Sequence, residues 1–179
     1  LIEFRKTCEN IVVFMPSAQS KKERPTVPVF HRWSWGALLP HSTVITLSDP
    51  ALIINDIHAC WFLDEEKEND LIKLLSHFLN NVIQRLKLAD KKIIIYGSSM
   101  GGFGALMLAS CIENAFAIAE VPQINLCYYP HKSDMKVLSK TILKGQSIES
   151  FYINQPYKVS VPDRFLHSRR IPSLTIITN

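Results

Sequence analysis

Nowhere in this chain of 179 residues does an apolar run approach the roughly 18 residues of a membrane-spanning helix. A secretory leader is also missing, because Leu1-Ile2-Glu3-Phe4-Arg5-Lys6 lacks the basic-then-apolar order. There is no initiator Met either, so the residues are expected to begin inside a longer gene product. The four cysteines, Cys8, Cys60, Cys111 and Cys127, form no C-x-x-C pair and keep no metal-ligand spacing with histidine. That argues against a zinc module and a disulfide frame, and they read as buried thiols of a reducing compartment. The expected location is cytoplasmic. A formal net charge of +4, without a broad basic stripe or aromatic platforms, argues against a nucleic-acid partner. The densest basic cluster, Lys21, Lys22 and Arg24 beside Pro25 and Pro28, reads as a solvated loop.

What remains is an ordinary globular composition. Hydrophobic residues make up 47% and charged residues 20%, enough apolar material to exclude disorder and to fill one core. Residues 1–179 are therefore read as a single domain. Apolar runs rich in β-branched residues predict buried parallel strands at Ile11–Phe14, Val44–Leu47, Ile93–Tyr96, Phe116–Val121 and Leu174–Ile177, with a weaker one at Leu1–Arg5. Leu71, Leu75, Phe78, Leu79, Val82, Ile83 and Leu86 recur at helical period and predict an amphipathic helix. Asn69 or Asp70 can cap it, and Asp64, Glu65, Glu66 and Glu68 suit the positive end of its dipole. A second helix is expected from Gly101 to about Cys111. Alternating strands and helices predict an α/β fold, a three-layer, mostly parallel sheet with helices on both faces. The irregular stretch at about 124–172 is read as a helical excursion, with Met135–Leu143 its best helix.

The segment Ile93-Ile94-Ile95-Tyr96-Gly97-Ser98-Ser99-Met100-Gly101 contains G-x-S-x-G centred on Ser99. A serine at a sharp strand-to-helix turn is held in a strained conformation that lifts its hydroxyl above the sheet. Residues two positions either side must lack a Cβ as the chain reverses, and Gly97 and Gly101 satisfy that. The next helix then points its N-terminal amides at the same spot. The amide of Met100 becomes one donor to an oxyanion. The second should come from the loop after an earlier strand, Met15-Pro16-Ser17-Ala18. Pro16 has no N–H, which leaves Ala18, or alternatively Ser17. A bland alternative stays open, a glycine-rich turn with an incidental serine. Rival phosphate loops do not fit: the P-loop lysine is missing after Gly102, and Met107 stands where a dinucleotide fingerprint needs glycine.

From Ile11 to Asn179 the order of elements resembles the α/β-hydrolase superfamily. The stretch Gly97 to Leu106, followed by Ala119-Glu120-Val121-Pro122-Gln123-Ile124-Asn125-Leu126, resembles a narrower group within it. That group comprises esterase-like hydrolases of bacterial capsule and surface-polysaccharide assembly and the accessory-secretion proteins that acetylate glycans. Phe30-x-Arg32, Trp33, Trp35 and the Trp61-Phe62 pair are similar to its pattern, whereas Ser17 stands where members often have glycine. The resemblance implies a serine hydrolase or acyltransferase acting on an ester, such as an O-acetylated saccharide, through a Ser99 acyl-enzyme, with no cofactor and no metal.

In that fold an acid and then a histidine follow a late strand. Here that strand is Leu174–Ile177 and no such pair follows within the sequence, which reads as an incomplete C-terminal end. A second expectation is therefore a non-catalytic binding or scaffold module in polysaccharide or glycoprotein export. Six histidines are present, and His131 with Asp134 is the least unfavourable substitute pair. Arg32, Trp61 and Gln123 are expected to bind substrate, with Trp33 and Trp35 as possible parts of a sugar-stacking wall. An incomplete sheet edge would allow self-association.

Overall fold

A computed structural model describes residues 1–19, 27–49, 51–54, 57–64 and 69–178. Lys21, Lys22, Arg24 and Pro25 of the basic cluster, and Glu65, Glu66 and Glu68 of the acidic run, lie outside the described residues. The architecture is α/β, built on a six-stranded sheet. Its strands are β1 (Ile2–Glu3), β2 (Asn10–Phe14), β3 (Ser42–Thr46), β4 (Lys92–Ser98), β5 (Ala115–Glu120) and β6 (Ser173–Ile177). They lie in the order β1-β3-β2-β4-β5-β6. All neighbours are parallel except β1, which runs antiparallel to β3.

The sheet grows outward in both directions from the β2–β4 pair. The chain leaves β2 for β3 on one side and later returns to β4 on the other. The gap beyond the C-terminal ends of β2 and β4 is thus a topological switch point, where open α/β sheets leave a crevice for ligands. Both turns singled out in the sequence, Met15–Ala18 and Gly97–Gly101, leave the sheet there.

One face of the sheet holds most of the core. Ile11, Val13, Ile45, Ile93, Ile95 and Ala117 pack with helix α2 (Leu71–Arg85) and helix α3 (Met100–Ala109), which follow the short helix α1 (Ala51–Ile54). The buried line of α2 is Ile72, Ser76, Leu79 and Ile83, one position round from the expected stripe, so Phe78 is left 52% exposed. Asp70 is its cap, accepting from the Lys73 amide. Every residue of α3 is buried, which is why its sequence is apolar on all sides rather than amphipathic. The opposite face is more thinly covered. Val12, Phe14 and Val44 pack there with Leu39, Ile94 and Tyr96, under a 3₁₀ segment at Trp33–Leu38.

Between β5 and β6 the chain forms α4 (Lys132–Thr141), α5 (Ile148–Asn154), α6 (Pro156–Val159) and α7 (Val161–Ser168). The expected Met135–Leu143 helix is real but begins one turn earlier, after His131. The excursion is anchored by Arg164 of α7. Its guanidinium meets both Asp70 oxygens at 2.6 Å, a bidentate pair with Arg164 only 1% exposed. Among the described residues no helix is long and apolar enough to cross a membrane.

Candidate active site

Ser99 sits between β4 and α3 with φ 54° and ψ −119°, a region that side-chain-bearing residues rarely occupy. Two backbone hydrogen bonds hold it there: its N–H donates to Glu120 O (2.9 Å), and its carbonyl accepts from Phe103 N–H (3.0 Å). The flanking glycines are demanded by sterics. A Cβ on Gly97 would stand 2.0 Å from the Gly101 carbonyl oxygen, and one on Gly101 would stand 2.8 Å from the Pro16 carbonyl oxygen. The second contact also shows that the loop after β2 lies directly against the elbow.

The first amides of α3, including that of Met100, have no carbonyl within the helix to bond. They open the helix beside the Ser99 hydroxyl. Across the crevice, Ser17 Oγ donates to Ser98 O (3.1 Å), and Gln19 N–H donates to His58 O (2.8 Å). Those two bonds fix the loop on either side of Ala18, which is itself exposed. The Ser17 and Ala18 segment is thus tied to the end of β4, next to the elbow that Met100 follows.

The side chain bonded to Ser99 Oγ is Gln123, whose Nε2 donates at 3.2 Å. Its Oε1 accepts from the indole Nε1–H of Trp61 at 3.0 Å. Trp61 is 2% exposed, with Tyr129 edge-on against it at 5.1 Å between ring centroids. It therefore stands behind Gln123 and presents no open face for stacking a sugar. The exposed tryptophans are Trp33 and Trp35, at 60% and 44%.

Arg32 closes the rim. Its Nη1 donates to Ser17 Oγ (3.2 Å), and its guanidinium lies over the rings of Tyr96 (5.1 Å) and Trp35 (5.4 Å). Nη2 is 4.0 Å from Glu120 Oε2, which accepts from Tyr96 Oη–H at 2.7 Å. The Tyr96 hydrogen bond, a second from Ser98 and the charge of Arg32 hold the Glu120 carboxyl below its ordinary range, against slight desolvation. Tyr96 moves upward, through burial and its bond to that carboxylate. Arg32 and Glu120 thus stand as an opposite-charge pair 4.0 Å apart beside the elbow.

Asp134 pairs with His58, Nε2 to Oδ1 at 3.4 Å, a partner the sequence reading did not pick out. His131 precedes α4 and packs its ring on Tyr129 at 5.2 Å, while the first turn of that helix points Asp134 inward to the 57–63 loop. Sequence reasoning also missed the support of that loop. Cys60 Sγ donates to the buried Asp49 Oδ2 at 2.8 Å, and burial pushes both the thiol and the carboxyl upward in pKa. All four cysteines are free. Among the described residues no group of three metal-ligating side chains gathers.

No family model matches the chain, and no curated protein matches it in sequence. Solved structures do match in shape. The capsule O-acetyltransferase of Neisseria meningitidis serogroup A superposes with a TM-score of 0.63 at 17% identity, covering 99% of this chain and 82% of that one. The fold is α/β-hydrolase-like. A glycosylation-associated protein complex (Gap123) from Streptococcus agalactiae matches with a TM-score of 0.61 at 11% identity, over 96% of this chain and 32% of that one. Fluorophosphonate-binding serine hydrolase F of Staphylococcus aureus matches with a TM-score of 0.55 at 13% identity, over 98% and 66%. At such identities the likeness is one of fold.

Proposed function

We propose that this chain is a serine esterase or acyltransferase domain in which Ser99 carries the acyl group. The observation that supports it most is the strained Ser99 backbone at the switch point, at the start of α3 and with the loop after β2 packed against the elbow at Gly101. In this reading Oγ attacks an ester carbonyl and the C=O π pair moves onto oxygen. The Met100 amide and that of Ala18, or of Ser17, receive the oxyanion. The Ser99 proton passes to a base, the ester's alkoxy group leaves with a proton, and an acyl-enzyme remains. Water then completes hydrolysis, or a saccharide hydroxyl completes transfer.

Among the described residues the partner recorded for Ser99 Oγ is an amide rather than an imidazole. The substrate class favoured is an O-acetylated saccharide, by likeness to a capsule O-acetyltransferase and a glycosylation-associated complex. Arg32 and the exposed Trp33 and Trp35 are the groups offered to a sugar, while Trp61 and Gln123 lie deeper. The same amide partner favours a second reading, a binding or scaffold module on this fold that does no chemistry.

Activity-based labelling separates the two. The acyl-transfer reading expects a fluorophosphonate to modify the protein at Ser99, and the labelling to be lost in Ser99→Ala. Equal labelling of the variant would overturn the Ser99 reading, and saccharide binding that survives the substitution without turnover of acetate esters would carry the scaffold reading instead.

A further inference from the structure

We propose that Trp61 and Gln123 form a neutral relay that aims the Ser99 hydroxyl, so that both are positioning residues rather than substrate-binding ones. The proposal rests on the reading of Ser99 as a nucleophile. An amide side chain can present either end to a neighbour, and its orientation follows from its partners. Here the partner decides, because an indole nitrogen only donates. Gln123 must therefore turn Oε1 to Trp61, 3.0 Å away, which leaves Nε2 to donate to Ser99 Oγ, 3.2 Å away. With one lone pair of Oγ accepting that bond, its O–H points away from Gln123.

The direction of the bond suits both halves of acyl transfer. During attack the second lone pair forms the bond to carbon while the proton leaves for the base. During deacylation the C–Oγ bond breaks, the electron pair returns to Oγ and the base returns the proton. An N–H already aimed at Oγ stabilises the negative charge that builds there in both steps.

The relay is held rigidly. Trp61 and Phe62 both have left-handed backbones, at φ 51° and 59°, a strain that surrounding contacts must sustain. Phe62 packs onto α3 where Gly104 leaves room, since a Cβ there would stand 2.2 Å from its ring. Cys60 on the other side is tied to Asp49. Gln123 is fixed from its own strand end: Val121 N–H donates to Ile177 O at 2.7 Å, and Pro122 packs against Gly102.

The test uses the whole chain and two readouts. In nitrogen-edited NMR, Ser99→Ala should shift the Gln123 side-chain amide signals, and Gln123→Ala should hasten exchange of the Trp61 indole proton. Unmoved signals would overturn the relay whether or not the protein reacts. In fluorophosphonate labelling, Trp61→Phe should slow Ser99 modification by about three- to tenfold, the worth of one hydrogen bond, without loss of fold. Gln123→Glu places an acceptor against Oγ and should cost more at neutral pH. Its rate relative to the wild type should then recover as pH falls, because the introduced carboxylate takes up a proton and regains a donor. A ratio flat with pH would overturn the relay. NMR shifts in a wild-type protein that takes no label would refute the nucleophile reading while leaving the relay bond standing.

Discussion

Replacing Gly97 by alanine is the sharpest steric perturbation available at the elbow. The new Cβ would stand 2.0 Å from the Gly101 carbonyl oxygen and 2.2 Å from its carbonyl carbon. Ordinary contact begins near 3.4 Å, so a gap of more than 1 Å has to open. Neither obstacle can rotate aside, because both are backbone in the first turn of α3. That helix is buried along its whole length, so it cannot retreat freely either. Forcing such a shift should cost about 1–3 kcal/mol of stability, the range for overpacking. Reactivity should fall further, by about 100-fold, because a misplacement of about 1 Å at a reacting centre costs that much.

Urea titration gives the change in stability, and second-order labelling of Ser99 by a fluorophosphonate, measured well below the melting temperature, gives the change in reactivity. Gly145→Ala is the control. Gly145 has φ 87° with nothing within 4 Å of its Cβ position, so only its backbone preference is lost. It should cost about 1 kcal/mol and leave labelling unchanged. If Gly97→Ala labelled within a few-fold of the wild type with unmoved stability, the steric account of the elbow would be wrong.

Arg164→Met strands the Asp70 carboxylate and should lower the melting temperature by about 6–12 °C at neutral pH, from about 3 kcal/mol for a broken buried pair. Burial pushes Asp70 upward in pKa, but the Arg164 hydrogen bonds and charge, the Lys73 amide and Lys158 outweigh it and hold it low. A depressed carboxyl stabilises fully above its unfolded value of about 3.9, and loses that contribution as pH falls through its folded value. The gap between wild type and variant should therefore begin to close as pH falls through the variant's own Asp70 pKa, which burial without Arg164 pushes up, and vanish only once pH drops below the depressed wild-type value, followed by calorimetry. Burial places Cys60 out of reach and raises its thiol well above the ordinary range. Iodoacetamide at mildly alkaline pH should modify the half-buried Cys111 and Cys127 first in peptide mass spectrometry, and Cys60 only after denaturation. Early modification of Cys60 would contradict its seat against Asp49.

The elbow was legible because its requirements are local. Gly97, Ser99 and Gly101 are bound by sterics acting over five residues, between a strand and a helix that both announce themselves by apolar patterning. The parallel strands and α2 were legible for the same reason, although the exact face of α2 was not, since Phe78 and Ile72 differ by packing alone. The partners of Ser99 were not readable in this way. Gln123 arrives from the end of β5, and Trp61 from a loop 62 residues before Gln123 in the chain, and neither pairing leaves a mark on sequence spacing. Trp61 looked like a wall for sugars because tryptophan serves equally as wall and as core. Burial decides it. His131 likewise stood closest to Asp134 in sequence, yet His58 meets it in space.

Strain offers a way to ask whether the turn is kept for use. Ser99→Ala and Ser99→Gly both remove the hydroxyl and its bond from Gln123, so they differ only in the backbone and one methyl group. At an ordinary position glycine is the less stable by about 0.5–1 kcal/mol, because it has more freedom to lose. At φ 54° and ψ −119° the order should reverse. Alanine keeps the strain of a side chain there, about 1–3 kcal/mol, while glycine relieves it. Urea denaturation should therefore find Ser99→Gly more stable than Ser99→Ala by about 1 kcal/mol or more. An alanine variant at least as stable as the glycine variant would mean that the backbone is relaxed. The elbow would then hold no stored strain, and the geometric case for a poised hydroxyl would lose its foundation. A reversed order means that the fold keeps a serine where glycine would be more stable, a cost that a merely structural turn gives no reason to bear.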